Sequence, residues 1–137
     1  MNKGPIEDRL AIRELIEAFA AGAMRFDPDY WGQTWADDGV WKLVSMPEPV
    51  HGKENIVAAF VRVMSYAEAL SMISFPADLV VEGDRAQGKA YCRELIFPKA
   101  GGRIAVVGCY HDQYVRRDGR WLFQSRFYEI LRKEQVA

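Results

Sequence analysis

Residues 11–41 read AIRELIEAFAAGAMRFDPDYWGQTWADDGVW, and this stretch decides the fold. Apolar residues recur at helical spacing in its first part, which predicts an amphipathic helix from about Pro5 to Arg25. Asp27 and Pro28 are a helix-start signal, because Asp caps free N–H groups and Pro suits the first helical position. Residues 37–41 then turn the chain into a strand. The stripe predicted to be buried is Ile12, Leu15, Ile16, Phe19, Ala20 and Ala23.

The rest of the chain reads as one more helix followed by strands. The helix is predicted to begin near Gly52 or Lys53, after a proline-containing break. Strands are predicted over residues 70–82, 86–97, 103–116 and 120–131, with a bend at Pro76. We therefore expect an α+β fold in which three helices pack in the concave face of a curved, mixed and mostly antiparallel sheet. Residues 1–137 are expected to form a single domain.

Composition excludes several classes of function. The net charge is −1, so no excess of Lys and Arg is present to neutralise phosphates, and nucleic acid is not an expected partner. No apolar run approaches the roughly 20 residues of a membrane helix. The N-terminus lacks the apolar stretch of a signal peptide, which favours a cytoplasmic protein. His51 and His111 are far apart and make no metal-ligand spacing, so neither a metal nor another cofactor is expected.

Strand alternation limits which side chains share a face. A two-residue hairpin loop at Ala100-Gly101 pairs Cys92 with Cys109, and one at Gly101-Gly102 pairs Cys92 with His111. Both registers place Tyr91 and Arg93 on the face of Gly108, Tyr110, Asp112 and Tyr114. In the last strand, alternation places one set of side chains on one face and a second set on the other: Leu122, Gln124, Arg126 and Tyr128 against Trp121, Phe123, Ser125 and Phe127 on the opposite face. Alternation does not say which face is concave. Two reduced cysteines are the favoured interpretation over a redox pair.

Four segments give the chain a family resemblance: AIREL at 11–15, WADDGVW at 35–41, GCYHDQY at 108–114 and RDGRW at 117–121. Together they resemble SnoaL-like proteins of the nuclear-transport-factor-2-like superfamily, a cone around a small-molecule pocket. The nearest pattern is that of lindane dehydrochlorinase and scytalone dehydratase. The resemblance implies a small-molecule ligand and a homodimer or trimer. One fold hosts many activities, so the resemblance alone does not fix the function.

The resemblance also implies which residues form the site. The family's carboxylate and histidine positions fall on Met24 and Ser74, neither of which can transfer protons near neutral pH. The family's arginine is kept as Arg126, and a buried charge such as Asp112 needs a partner, either Arg126 or Arg93. Asp112 and Asp78 are the candidate catalytic residues. The candidate substrate-binding residues are Arg126, Arg93, Tyr91, Tyr110, Tyr114, Tyr30, Trp31, Trp41 and His51.

Three functions follow from these residues. The first is a cofactor-independent lyase, isomerase or cyclase acting on a small hydrophobic or aromatic substrate. The alternative is a non-catalytic binding domain for a small anionic or aromatic ligand, because the acid/base positions are Met24 and Ser74. The third is a partner-binding domain that uses an apolar strand face at Ala90, Cys92, Val107 and Cys109.

Overall fold

The structure is a computed structural model and describes residues 1–136. Within these residues, three helices and six strands follow one another. None of the helices in the described part of the chain is long and apolar enough to cross a membrane. In chain order the elements are α1 (Ile6–Met24), α2 (Pro28–Gly32), β1 (Trp35–Lys42), β2 (Val50–His51), α3 (Lys53–Met64), β3 (Ala67–Glu82), β4 (Arg85–Pro98), β5 (Arg103–Arg117) and β6 (Arg120–Val136).

The two N-terminal helices form where the sequence predicts them. All six residues of the predicted stripe in α1 are buried, so that face packs against the sheet. The Asp27 side chain caps α2 by accepting a 3.0 Å hydrogen bond from the Tyr30 backbone N–H. Gly22 allows α2 to lie close, because an added Cβ would come within 2.9 Å of the Trp31 side chain.

The six strands form one open sheet in the order β2-β1-β6-β5-β4-β3. β1 runs parallel to β6, and every other neighbouring pair is antiparallel. The helices cover one face of this sheet, called here the inner face. The architecture is the α+β cone expected from the sequence. β2 is a short strand that was not predicted, and β1 begins at Trp35, earlier than expected.

The pairing of β4 with β5 differs from both predicted registers. Cys92 lies opposite Gly108, and Tyr91 lies opposite Cys109. β4 ends at Pro98 and β5 begins at Arg103, so the loop between them has four residues, 99–102, and is not a two-residue turn. A one-residue change of register exchanges the two faces. Both predicted registers were therefore wrong. Tyr91 and Arg93 lie on the outer face, whereas Cys92 and Glu94 share the inner face with Gly108, Tyr110, Asp112 and Tyr114.

Two bulges in β6 interrupt the predicted alternation. Gln124 is an extra residue between the pairs that β6 makes with Gln113 and Tyr114. Leu131 is an extra residue between the pairs made with Val107 and Gly108. Each bulge re-aims the side chains that follow it. The inner face of β6 therefore carries Phe123, Arg126, Tyr128, Ile130 and Lys133. The bend expected at Pro76 is displaced, since Pro76 pairs with Ala90 and the irregularity falls between Ala77 and Val80.

Candidate functional site

A cavity of about 460 Å³ lies between the helices and one half of the inner face. This volume is in the range of small-molecule sites. The cavity opens beside Val44, which is exposed, and Lys133. Its helix side is formed mainly by Phe19, Ala23, Trp31, Trp41, Phe60 and Met64. Its sheet side is formed mainly by Met72, Glu94, Ile96, Ile104, Val106, Tyr110, Tyr128, Ile130 and Lys133.

Glu94 places a carboxyl group in this largely apolar wall. The Tyr128 hydroxyl donates a 2.5 Å hydrogen bond to Glu94 Oε2. Burial raises the pKa of Glu94 above its ordinary value, although the Tyr128 hydrogen bond and the charge of Arg126 oppose that shift. A carboxyl group with a raised pKa in a cavity is a candidate acid or base. Among the described residues that line the cavity, it is the one carboxyl group.

Gly108 allows Tyr128 to reach Glu94 from two strands away. The Tyr128 ring extends from β6 across β5 toward β4, directly above Gly108. A Cβ at Gly108 would collide with the Tyr128 hydroxyl and ring, so any larger residue would displace the tyrosine. The φ angle of Gly108 is not in the left-handed region, and the glycine is therefore needed for space alone.

Aromatic side chains make the remaining wall rigid. Trp31 stacks on Phe60 with ring centroids 4.2 Å apart. Trp41 Nε1 donates a 3.2 Å hydrogen bond to the Tyr110 hydroxyl, and Tyr110 contacts the Tyr128 ring at 4.5 Å. Burial raises the pKa of Tyr110, so its hydroxyl remains protonated. Trp31, Trp41 and Tyr110 thus lie at the cavity, as the sequence analysis expected of them.

Arg126, Asp112 and Tyr114 form a separate and closed cluster. Arg126 Nε and Nη2 donate to the two Asp112 oxygens at 2.8 and 3.0 Å. The Tyr114 hydroxyl donates to Asp112 Oδ2 at 2.9 Å. Burial raises the pKa of Asp112, and the charge of Arg126 opposes that shift. All three side chains are buried and none lines the cavity. Of the two pairings predicted for Asp112, the structure forms the one with Arg126.

The guanidinium of Arg126 is enclosed by aromatic rings as well as by its ion pair. Its Cζ lies 3.8 Å from the Tyr110 ring centroid, 4.1 Å from that of Phe123 and 4.4 Å from that of Phe19. Tyr110 therefore separates Arg126 from the cavity. A ligand in the cavity meets the tyrosine and not the guanidinium.

Five of the other candidates lie away from the cavity. Tyr91 and Arg93 are on the outer face because the register differs from the prediction. Asp78 is exposed near the sheet edge, 3.0 Å from the N-terminal amine. Tyr30 contacts Arg25 at the surface. His51 is exposed, and its carbonyl accepts a hydrogen bond from Asn55.

Met24 and Ser74, where the resemblance would place the family's acid/base pair, carry no group that titrates near neutral pH. Met24 is exposed at the end of α1. Ser74 Oγ lies 3.2 Å from Cys92 Sγ on the inner face.

Cys92 and Cys109 are free and face opposite sides of the sheet, which agrees with two reduced cysteines. Burial raises the pKa of Cys92 to about 11, so its thiol is a poor nucleophile. Within residues 1–136, no three His, Cys, Asp or Glu side chains come together to hold a metal.

Sequence reasoning missed Glu94 and Tyr128 as a pair. The incorrect register placed Glu94 on the face opposite to Tyr110. One signal was available: the alternate positions of β4 read Ala90, Cys92, Glu94 and Ile96. A lone carboxylate in a face otherwise made of small and apolar residues is unusual, because burying a charge without a partner is costly.

Comparison with known proteins identifies the family. The SnoaL-like domain family matches residues 5–127. No curated protein matches the sequence closely. The resemblance drawn from the four sequence segments is thereby confirmed.

Solved structures share the whole architecture. A type 2 hexachlorocyclohexane dehydrochlorinase, LinA, is similar with a TM-score of 0.88 and 20% identity, over 96% of this chain and 90% of that one. A scytalone dehydratase candidate from Novosphingobium aromaticivorans DSM 12444 has a TM-score of 0.85 and 12% identity, over 96% of this chain and 89% of that one. Kfla4162 from Kribbella flavida has a TM-score of 0.83 and 22% identity, over 95% of each chain. At these identities the similarity shows the fold.

Proposed function

The chain belongs to the SnoaL-like domain family, and we propose that it binds a small, largely apolar molecule and moves a proton on it without a cofactor. The reaction class is that of a lyase or isomerase. Glu94 is the acid/base group, and Tyr128 holds its carboxylate in place. The single observation that carries the proposal is a carboxyl group with a raised pKa in the wall of an apolar cavity.

Burial makes Glu94 a stronger base than an exposed carboxylate. A raised pKa means that the ionised form holds an abstracted proton more firmly. Because the Tyr128 hydroxyl occupies Oε2, the other oxygen, Oε1, is the one available to a ligand. The apolar walls around Glu94 keep its surroundings weakly polar, which strengthens the electrostatic interaction between Glu94 and a bound molecule.

Proton transfer by Glu94 is compatible with two outcomes. In both, the carboxylate takes a proton from a carbon of the ligand, and the electron pair of that C–H bond shifts into a new carbon–carbon π bond. In an elimination, a leaving group on the neighbouring carbon departs with its own bonding pair. In an isomerisation, a π bond already present in the ligand opens as the new one forms, and its electron pair takes the proton back from protonated Glu94 at a different carbon. Neither outcome requires a redox cofactor.

Asp112 and Asp78 are weaker candidates for this role. Asp112 already accepts three hydrogen bonds from Arg126 and Tyr114 and does not reach the cavity. Asp78 is an exposed carboxylate whose pKa is lowered by the hydrogen bond from the N-terminal amine. A lowered pKa makes a weaker base, and no wall there excludes water. The geometry therefore supports Glu94 over both.

A solvent-exchange screen tests the proposal. Small aromatic and alicyclic ketones, alcohols and halides are incubated with the protein in heavy water, and deuterium uptake and new products are followed by mass spectrometry. We expect exchange or conversion of at least one compound, and its loss in Glu94→Gln. Glu129→Gln is the matched control, because Glu129 lies on the outer face of the same sheet, 2.9 Å from His111. Equal exchange by wild type and Glu94→Gln would contradict the role of Glu94.

A non-catalytic binding domain is the second candidate. It is favoured by the residues Met24 and Ser74, which the resemblance aligns with the family's acid/base positions and which cannot transfer protons near neutral pH. In that case the same screen would yield compounds that bind in the cavity and are recovered unchanged and without deuterium. Glu94→Gln would then alter only their affinity.

A further inference from the structure

Lys133 belongs to the inner face because of the second β6 bulge. Without the extra residue Leu131, regular pairing would place Arg132 opposite Val106. With the bulge, Lys133 lies opposite Val106, and Val106 in turn lies opposite Glu94. Glu94, Val106 and Lys133 therefore form one row across three neighbouring strands. Since strands are about 4.8 Å apart, the Cα atoms of Glu94 and Lys133 are roughly 10 Å apart.

The cavity lining contains one cation, Lys133, within the described part of the chain. No carboxylate of residues 1–136 forms a salt bridge with it. Its neighbour Arg132, on the outer face, is instead paired with Glu134 at 3.1 Å. The cavity thus presents an apolar floor of aromatic rings, a carboxyl group on one side and an ammonium group at the opening.

We propose that the ligand is an apolar molecule that ends in a carboxylate, and that Lys133 binds this carboxylate at the cavity opening. This inference rests on the proposed function and names its substrate class. The apolar body of the ligand fills the space toward Trp41 and Phe60. The carbons near the carboxylate then lie beside Glu94, because Lys133 and Glu94 occupy the same row.

The chemistry of the opening favours a carboxylate over a phosphate. A phosphate group is usually held by several donors, such as an arginine fork or a set of backbone N–H groups. Here a single ammonium group stands among Val106, Ile104 and Ile130. One lysine balances one negative charge. The same charge offsets the repulsion that the ligand's carboxylate would otherwise meet from Glu94.

Matched pairs of probes test the inference. Phenylbutanoate is compared with phenylbutanamide, and naphthylacetate with naphthylacetamide, by calorimetric titration of wild type, Lys133→Met and Arg132→Met. Acid and amide have nearly the same shape, so their affinity ratio isolates the charge. Arg132→Met is the matched control, because it removes a cation from the adjacent residue on the outer face. Both side chains are exposed, so both variants are expected to fold.

We expect wild type to bind each acid about two to five times more tightly than its amide at low salt, the range of an exposed ion pair. The preference should shrink at high salt. It should vanish in Lys133→Met and persist in Arg132→Met. Amides that bind as tightly as acids would overturn the carboxylate anchor and leave the cavity proposal intact. A preference that survives in Lys133→Met would overturn it as well. Binding of neither probe type would count against both proposals.

Discussion

Two carboxyl groups on the same inner face differ in what surrounds them. Asp112 is enclosed by two hydrogen bonds from Arg126 and one from Tyr114. Glu94 has a single partner, Tyr128, and faces a cavity. Burial raises the pKa of both groups, so the direction of the shift does not distinguish them. The number of hydrogen-bond partners and the access to a cavity distinguish them. A fully partnered carboxylate supports the fold, whereas one with a free oxygen at a cavity is available to a ligand.

Loss of Arg126 should have the largest effect. Arg126→Met leaves Asp112 buried without its counter-charge, and breaking a buried pair in this way costs about 3–5 kcal/mol of unfolding free energy. Urea denaturation measures the loss. Arg117→Met is the control, because Arg117 pairs with Asp38 at the surface and its loss should cost about 0–1 kcal/mol. If the two variants lost equal stability, the closed cluster would not be structural.

A side chain at Gly108 should disrupt the hydrogen bond between Tyr128 and Glu94. Gly108→Ala places a methyl group where the Tyr128 ring lies, and overpacking of this kind costs about 1–3 kcal/mol. Proton transfer should fall with it, because Glu94 loses its partner. The additional change Tyr128→Ala removes the clash, so the stability losses of the two single variants should not add in the double variant. Additive losses would show that the collision is not the cause.

Removal of the Tyr128 hydroxyl should have a moderate effect. Tyr128→Phe deletes the hydrogen bond that lowers the pKa of Glu94, so that pKa should rise further. The stability loss should be about 1 kcal/mol. Carbon NMR of the Glu94 side-chain carboxyl, followed over a pH titration, measures the shift directly. A Glu94 pKa that stayed the same or fell would exclude this hydrogen bond as a control on the carboxyl.

Neutralisation of Glu94 should have the smallest effect on stability. The difference in unfolding free energy between wild type and Glu94→Gln should depend on pH. The pKa of Glu94 is raised in the folded state, so its contribution is fully present below the unfolded pKa and is lost as pH rises through the folded pKa. Glu94→Gln does not titrate. Wild type should therefore lose stability relative to Glu94→Gln as pH rises above the ordinary glutamate pKa of about 4.3. Denaturation curves at several pH values test this, and a relative gain for wild type would refute a raised pKa.

Most of the fold could be predicted because its signals are local. The α1 stripe, the Asp27 cap and the turn at Asp118 and Gly119 each depend on a few neighbouring residues. The helical periodicity and the turn signals between apolar runs then predicted the order of helices and strands. Tyr110 was expected at the pocket from the family resemblance, and Trp31 and Trp41 were candidates for its helix side; all three lie at the cavity.

The acid/base pair could not be predicted because it depends on register. The face of Glu94 is set by the register that the four-residue loop 99–102 imposes, and this loop length has no distinct sequence signal. Tyr128 shares a face with Arg126, as strand alternation expected. Arg126 was expected to contact the ligand, yet Tyr110 covers it. Register and packing between strands, rather than residue type, therefore decided what Glu94 and Arg126 face.

Gln124 and Leu131 also determine where β6 can change in length. Each is the unpaired residue of its bulge, so a deletion of Leu131 would leave Ile130 opposite Gly108 and Lys133 opposite Val106. The shortened strand would present the same side chains to the cavity. Deletions away from the bulges would instead exchange inner and outer residues. A related sequence that lacks the residue at position 131 can therefore present the same cavity side chains. A related sequence with a β6 of equal length can present different ones if its bulges lie elsewhere.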